Sequence, residues 1–291
     1  MKYNVCWDII NKCNDNCLFC YRDKDCKELS YTEKQKVLQK IYDSNVVRKL
    51  TITGGEPLLY QDLFKLLNSV NKPIKLQLAL VTNGICLADY DSNTNSFKIN
   101  EELLNQVIKT FSWVSFSLDS YNEQYDTKTR NPLHFKRIKF ILDYISKHKL
   151  NINIKINTLV SKQNYQNVEK IHNLISNYPM IKRWKLFRYV SNSNSSVKTD
   201  EYFNISDKAF EEVKNYIKEL ESNIKEILFL DNTCYEKCYI SVKADGVIRV
   251  LKDSEYLDVC DLDKESIMDF VDSPFFSKQL HRENHFLTDE S

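Results

Sequence analysis

Three cysteines carry the clearest chemistry in this 291-residue chain: Cys13, Cys17 and Cys20, spaced C-x3-C-x2-C within Lys12–Tyr21. Thiols this close can converge on one inorganic centre if the chain loops around it. A structural zinc ion is normally closed by four protein ligands. A cubane iron–sulfur cluster can be held by three thiolates and leave one iron without a protein ligand. That open iron is where chemistry could happen. A second stretch, Thr53-Gly54-Gly55-Glu56-Pro57, lies downstream. Glycine is scarce (Gly54, Gly55, Gly84 and Gly246 are all there are), so two in a row mark a backbone requirement.

Composition limits what surrounds these residues. Hydrophobic residues are 42% and charged residues 28%, an ordinary globular balance with enough apolar material for a sizeable core. A net charge of +1 argues against a surface that coats polyanions, so direct nucleic-acid binding is not expected. No apolar run approaches the ~18 residues of a membrane span, and the start at Met1 has no signal-peptide layout. Nine cysteines with three in a tight cluster fit a reducing, cytoplasmic setting. Cys26 and Cys86 have no partner spacing and read as small buried hydrophobes.

Elements must place the cysteine loop. Strands are expected at Asn4–Ile10, Lys49–Thr53, Lys75–Thr82, Ser112–Asp119, Asn151–Leu159 and Arg183–Val190. Helices are expected between them at Tyr31–Ser44, Tyr60–Val70, Asn100–Thr110, His134–Lys149 and Tyr165–Asn177, with 89–96 left as a polar loop. Strands alternating with helices imply parallel βαβ units and an α/β fold. Several strands alternate strictly: Ile152, Ile154 and Ile156 face one way, Asn153, Lys155 and Asn157 the other. The apolar face belongs under the helices, and the polar face then lines a lumen. That lumen receives Cys6, Lys49, Ser117, Lys155, Asn157, Arg183 and Lys185. Cations converging from different strands suit a polyphosphate, Arg as a planar fork and Lys as a point charge. The loop 191–196 ends this unit. Residues 196–291 then read as an α+β extension, with a helix at Ser206–Ser222, a hairpin turned at Asp245-Gly246, and a helix near Lys264–Leu280.

The cysteine spacing, the aromatic Tyr21 after it and the Gly-Gly-Glu-Pro stretch resemble the radical S-adenosylmethionine (SAM) enzymes. The resemblance implies a partial (β/α)6 barrel over 1–195, closed by 196–291. It implies one [4Fe-4S] cluster on Cys13, Cys17 and Cys20, with SAM chelated to the open iron. Phe19, Gly54, Gly55, Glu56, Asn83, Ser117 and Arg130 match positions that hold SAM, Arg130 as a bidentate fork for its carboxylate. Lys155-Ile156-Asn157-Thr158, Arg183-Trp184-Lys185-Leu186-Phe187 and Cys238-Tyr239-Ile240 resemble, more narrowly, the viperin-like enzymes. These are nucleotide dehydratases, of the lyase type. They convert a ribonucleoside triphosphate (CTP, UTP or GTP) to its 3′-deoxy-3′,4′-didehydro analogue, an RNA chain terminator used in antiviral defence.

The narrower resemblance assigns substrate contacts to Cys6, Lys49, Lys155, Asn157, Arg183 and Lys185, and to Tyr239 a catalytic return of hydrogen or an electron. It departs at Cys6, where the family carries an asparagine. It further implies a flavodoxin or ferredoxin as electron donor, a monomer, and no membrane attachment. One rival is a peptide-modifying maturase-like enzyme, whose cysteine-rich C-terminal domain carries extra clusters. Cys234, Cys238 and Cys260 could hold at most one, and the C-terminal hairpin and helix look like a stripped remnant of that domain. A non-catalytic iron–sulfur nucleotide sensor is the other rival.

Overall fold

The structure is a computed structural model that describes residues 2–22, 24–191, 196–231, 236–252 and 255–285. Cys234 and most of the 191–196 loop lie outside the described residues. Six parallel strands, their helices and one hairpin build residues 3–188. They are β1 (Tyr3–Asp8), α1 (Tyr31–Asp43), β2 (Val47–Thr53), α2 (Leu63–Asn68), β3 (Gln77–Thr82), a hairpin β4 (Ala88–Asp91) and β5 (Ser96–Ile99), α3 (Glu101–Thr110), β6 (Trp113–Ser117), α4 (Glu123–Thr129), α5 (His134–Lys147), β7 (Asn153–Val160), α6 (Val168–Ile175) and β8 (Ile181–Arg188). The rest is α7 (Val197–Phe203), α8 (Asp207–Glu219), β9 (Glu226–Leu230), β10 (Ile240–Val242), β11 (Val247–Lys252), β12 (Glu255–Asp261), α9 (Ile267–Val271) and α10 (Lys278–His285).

One ten-stranded sheet runs β12-β11-β10-β1-β2-β3-β6-β7-β8-β9. Every pair from β10 through β1 to β9 is parallel, and only β10–β11–β12 are antiparallel. The expected α/β architecture is present. Apolar parity sets the faces: Val5, Trp7, Leu50, Ile52, Leu80, Phe116, Ile154, Ile156, Trp184 and Leu186 are buried under the helices. Opposite parity faces a lumen. The charges of Lys155 and Lys185 act on Cys6, although β7 and β8 stand four and five places from β1 in the sheet. Only a sheet curled into a barrel brings them together. Between β9 and β10, Leu230 and Cys238 form a small apolar cluster with Phe187, Tyr239 and Leu280, which links the end of β9 to the segment leading into β10.

Local signals explain most boundaries. Ser30 caps α1 in a reciprocal box with Glu33, whose carboxylate takes the Ser30 N–H at 2.7 Å. Gly246, at φ +85, turns β10 into β11.

Two expectations are corrected. Residues 89–96 are a loop only at 92–95: the rest pairs in the β4–β5 hairpin, turned at Asn95 (φ 48), with Phe97 seated between Tyr90 and Phe140 at ring-centroid distances of 5.2 and 5.6 Å. The aromatic pairing outweighs the polar composition of the turn. The single helix near Lys264–Leu280 is instead α9 and α10. Pro274 breaks it, because proline lacks the N–H that a helix interior needs.

Candidate active site

The cysteine loop leaves the C-terminal end of β1 and is gripped on two sides. On one, Gly55 N–H donates to Ile10 O at 2.7 Å and Glu56 N–H to Lys12 O at 2.9 Å. On the other, Leu18 N–H donates to Thr129 O at 2.9 Å, and Asp15 Oδ1 accepts from Asn131 N–H at 3.1 Å. The glycines answer to this packing. A Cβ on Gly55 would stand 2.1 Å from Lys12 O, and one on Gly54 2.4 Å from Ile10 O. The close approach that the two glycines permit is backbone on backbone, between β2's end and the cysteine loop.

Cys13, Cys17 and Cys20 are half-buried free thiols. Burial pushes the Cys17 thiol up to about 12, against the pull of Arg130, so ligation would have to displace its proton. Among the described residues no three His, Cys, Asp or Glu side chains converge as a single ion would require. A cubane asks something else, since each thiolate takes a different iron. Three accessible soft donors in one short loop fit that group. Cys86 also belongs here, contrary to its reading as an isolated buried thiol. Its sulfur accepts from Asn14 Nδ2 at 3.5 Å, and Cys13 is among the groups that act on it.

Beside the thiols sits a buried network. Arg130 reaches Asp119 Oδ2 through Nη2 at 2.5 Å, and its Nη1 lies 2.9 Å from His134 Nε2. Its guanidinium stacks over Phe19 at 5.0 Å, and Phe19 meets Phe203 edge-on at 5.5 Å. The expected carboxylate fork is thus partly spoken for by Asp119, while Arg130 Nε is buried without a partner. Burial drives His134 well below the usual histidine value and so keeps it neutral beside the arginine. Asp119 and His134 were not singled out by sequence. The signals existed: Asp119 continues the polar parity of Ser115 and Ser117, and His134 follows Arg130 by four residues.

Glu56 is wholly buried. Its carboxylate accepts from Thr82 Oγ1 at 2.7 Å, Asn83 N at 2.8 Å and Leu58 N at 3.1 Å. Burial raises it to about 7 despite those donors. These three donors make it a bracket between strand ends. Asn83 in turn donates to Asn14 Oδ1 at 2.9 Å and approaches Cys13 Sγ at 3.8 Å. Ser117 ends β6 half-buried, its carbonyl 2.7 Å from His134 Nε2.

Deeper in the lumen, Cys6 is ringed by Lys155, Lys185 and Lys49, and burial keeps its thiol protonated all the same. Ser115, Lys155 and Arg183 are lateral neighbours, as are Ser117, Asn157 and Lys185. Burial, with Lys185 and Lys49 adding to it, drives Lys155 well below the ordinary lysine value. Ser115 Oγ and Asn157 Oδ1 are buried and unpartnered. Arg183 differs from the other cations. It is ion-paired to Glu226 on β9 and lies 5.0 Å over the Trp113 ring. At the cluster end of the same face, Asp8 pairs with Arg249 at 3.5 Å, and both are buried. Tyr239 is half-buried in the apolar cluster that joins β9 to β10.

Comparison with known proteins agrees with this geometry. The Radical SAM superfamily profile matches residues 7–175. An S-adenosylmethionine-dependent nucleotide dehydratase of Lacinutrix mariniflava is 29% identical over 226 residues, covering 74% of this chain and 44% of its own length. The chain therefore spans under half of that relative. A probable GTP 3′,8-cyclase of Methanopyrus kandleri is 40% identical over 82 residues, 27% of this chain and 26% of its own. Among solved structures, SuiB of Streptococcus suis bound to S-adenosylmethionine superimposes with a TM-score of 0.66 at 16% identity, covering 97% of this chain and 67% of its own. That likeness concerns the fold.

Proposed function

This chain belongs to the radical SAM superfamily, and from that premise we propose that it is a nucleotide dehydratase acting on the sugar of a ribonucleoside triphosphate. The carrying observation is Lys155. Its amine stands half-buried in the lumen with Lys49 and Lys185 about it, and among the described residues it has no hydrogen-bond or ion-pair partner. Desolvation and the neighbouring cations favour its neutral form, and an anion bound beside it would restore the charge. The dehydratase relative supports the same reading. A match over 74% of the chain has to include β7 and β8, which carry Lys155, Asn157, Arg183 and Lys185.

In this proposal Cys13, Cys17 and Cys20 hold a [4Fe-4S] cluster. Arg130 Nε, Asn83, Ser117 and the Gly54–Gly55 backbone lie toward bound SAM. Together these groups supply, when bound, an adenosyl radical that abstracts the 4′ hydrogen. The chain's own work is positioning. Lys155, Lys185 and Lys49 hold the phosphates, Ser115 and Asn157 offer hydrogen bonds next to them, and the curled sheet excludes water. Loss of the 3′ hydroxyl then leaves the 3′-deoxy-3′,4′-didehydro nucleotide, a chain terminator suited to antiviral defence. Tyr239 stands at the β9–β10 seam as the candidate that returns an electron, and Cys6 as a substrate contact. A flavodoxin or ferredoxin in the cytoplasm would reduce a monomeric enzyme whose 196–291 unit carries no complete extra cluster. Among the described residues no helix is long and apolar enough to cross a membrane.

The test is anaerobic incubation of reconstituted protein with SAM, dithionite and each of CTP, UTP and GTP. Release of 5′-deoxyadenosine should rise with one of them. Stimulation by none of the three would sink the substrate assignment, and stimulation by a peptide would establish the maturase-like rival.

A further inference from the structure

The cations of the lumen are arranged unequally, and the inequality bears on the form of the ligand. Lys155 has no partner among the described residues, and Lys49 and Lys185 are near enough to act on it. Among the described residues, the carboxylates named above on this face are already in ion pairs: Asp8 with Arg249, Glu226 with Arg183, and Asp119 with Arg130. Magnesium that accompanies a nucleotide keeps several waters and is usually steered by one or two carboxylates as well as by the phosphates. Here a hydrated dication would enter a cavity faced by ammonium groups, and would take phosphate oxygens away from them. A free polyphosphate brings its full negative charge to those same lysines and forms charge-assisted hydrogen bonds with each. Ser115 Oγ, on a wholly buried residue beside Lys155, is unpartnered and can complete the set.

We infer that the lumen takes the polyphosphate tail as the free, metal-uncomplexed anion, held by Lys155 with Lys49 and Lys185. The inference rests on the nucleotide reading above and adds to it the charge state of the substrate. It places the enzyme apart from nucleotide sites in which a carboxylate-bound metal bridges the phosphates. Magnesium is then a competitor for the substrate.

Equilibrium dialysis of the reconstituted chain tests it, with CTP, UTP, GTP and inorganic tripolyphosphate as probes. Each is measured in EDTA and in excess magnesium at constant ionic strength. The expected result is binding in EDTA that weakens about tenfold or more in magnesium, a difference of ~1.4 kcal/mol. Lys155→Gln should weaken the EDTA value by a similar factor and shrink the magnesium effect, with an unchanged circular dichroism spectrum. Equal or tighter binding in magnesium overturns the inference and leaves the nucleotide reading standing. Magnesium-sensitive binding of tripolyphosphate without binding of any nucleotide supports the anion pocket and removes the nucleotide. Failure of all four probes to bind in EDTA overturns both.

Discussion

The carboxylate of Glu56 accepts the backbone N–H of Asn83 at 2.8 Å and so ties the end of β2 to the end of β3 beneath the cysteine loop. Burial raises this carboxyl from 4.5 to about 7. For an acid with a raised folded value, the folded chain holds its proton where the unfolded chain has lost it. Stability from this group is full below 4.5, falls as pH rises, and levels off above about 7. The total is roughly 3 kcal/mol. Glu56→Gln cannot ionise, so its melting temperature relative to the wild type should climb across that window. A constant difference from pH 4.5 to 7.5 would show that Glu56 does not titrate there.

His281 carries the opposite sign. It accepts from Asn4 N–H at 3.1 Å, its Nδ1 lies 2.5 Å from Cys238 O, and burial lowers it from 6.5 to about 4. Its contribution is full above 6.5 and is lost as pH falls toward 4, again by roughly 3 kcal/mol. The two windows overlap, so the wild-type profile partly cancels, and only comparison with each variant separates them. His281→Leu should be less stable than wild type at pH 7.5 in urea titrations and lose that handicap near pH 5. A handicap that persists undiminished would count against the neutral, hydrogen-bonded imidazole.

Gly55→Ala should cost the cluster. Its Cβ would press on Lys12 O at 2.1 Å, where both partners are backbone and neither can rotate away. Iron content after anaerobic reconstitution should fall severalfold, with a lowered melting temperature. Normal iron loading in this variant would refute the packing account of the Gly-Gly pair.

Cluster loading should also sort the cysteines. Alanine at Cys13, Cys17 or Cys20 should abolish the charge-transfer absorbance near the iron–sulfur bands. Cys86→Ser, although close to the Cys13 site, should retain it. Loss of iron in the Cys86 variant would instead make Cys86 a ligand.

Lys155→Ala should weaken triphosphate binding by about ten- to a hundredfold, the worth of a charged hydrogen bond of ~1.5–3 kcal/mol. The cluster's absorbance should be unchanged. A joint loss of binding and cluster would point to a folding role for Lys155.

Much of this was legible in one dimension because it is local. The spacing of Cys13, Cys17 and Cys20 is covalent, and strand parity alone places Lys155 and Arg183 inward and Ile154 and Trp184 outward. Partnership is not local. Arg183 finds Glu226 at a distance of 43 residues, and Asn4 finds His281 at 277, because β9 docks on β8 and α10 on the start of β1. Sequence put Arg183 among the substrate's cations on equal terms with Lys155. The register of β8 on β9 neutralises one and leaves the other without a partner among the described residues. It likewise marked Gly54 and Gly55 as a point of close backbone approach, and the tertiary structure adds that the carbonyls of Ile10 and Lys12 lie where a Cβ would stand. Residue type and spacing are properties of the chain, and they determined the chemistry available. Which charges cancel and which remain for a substrate depends on which strands become neighbours, and only the packed barrel decides that.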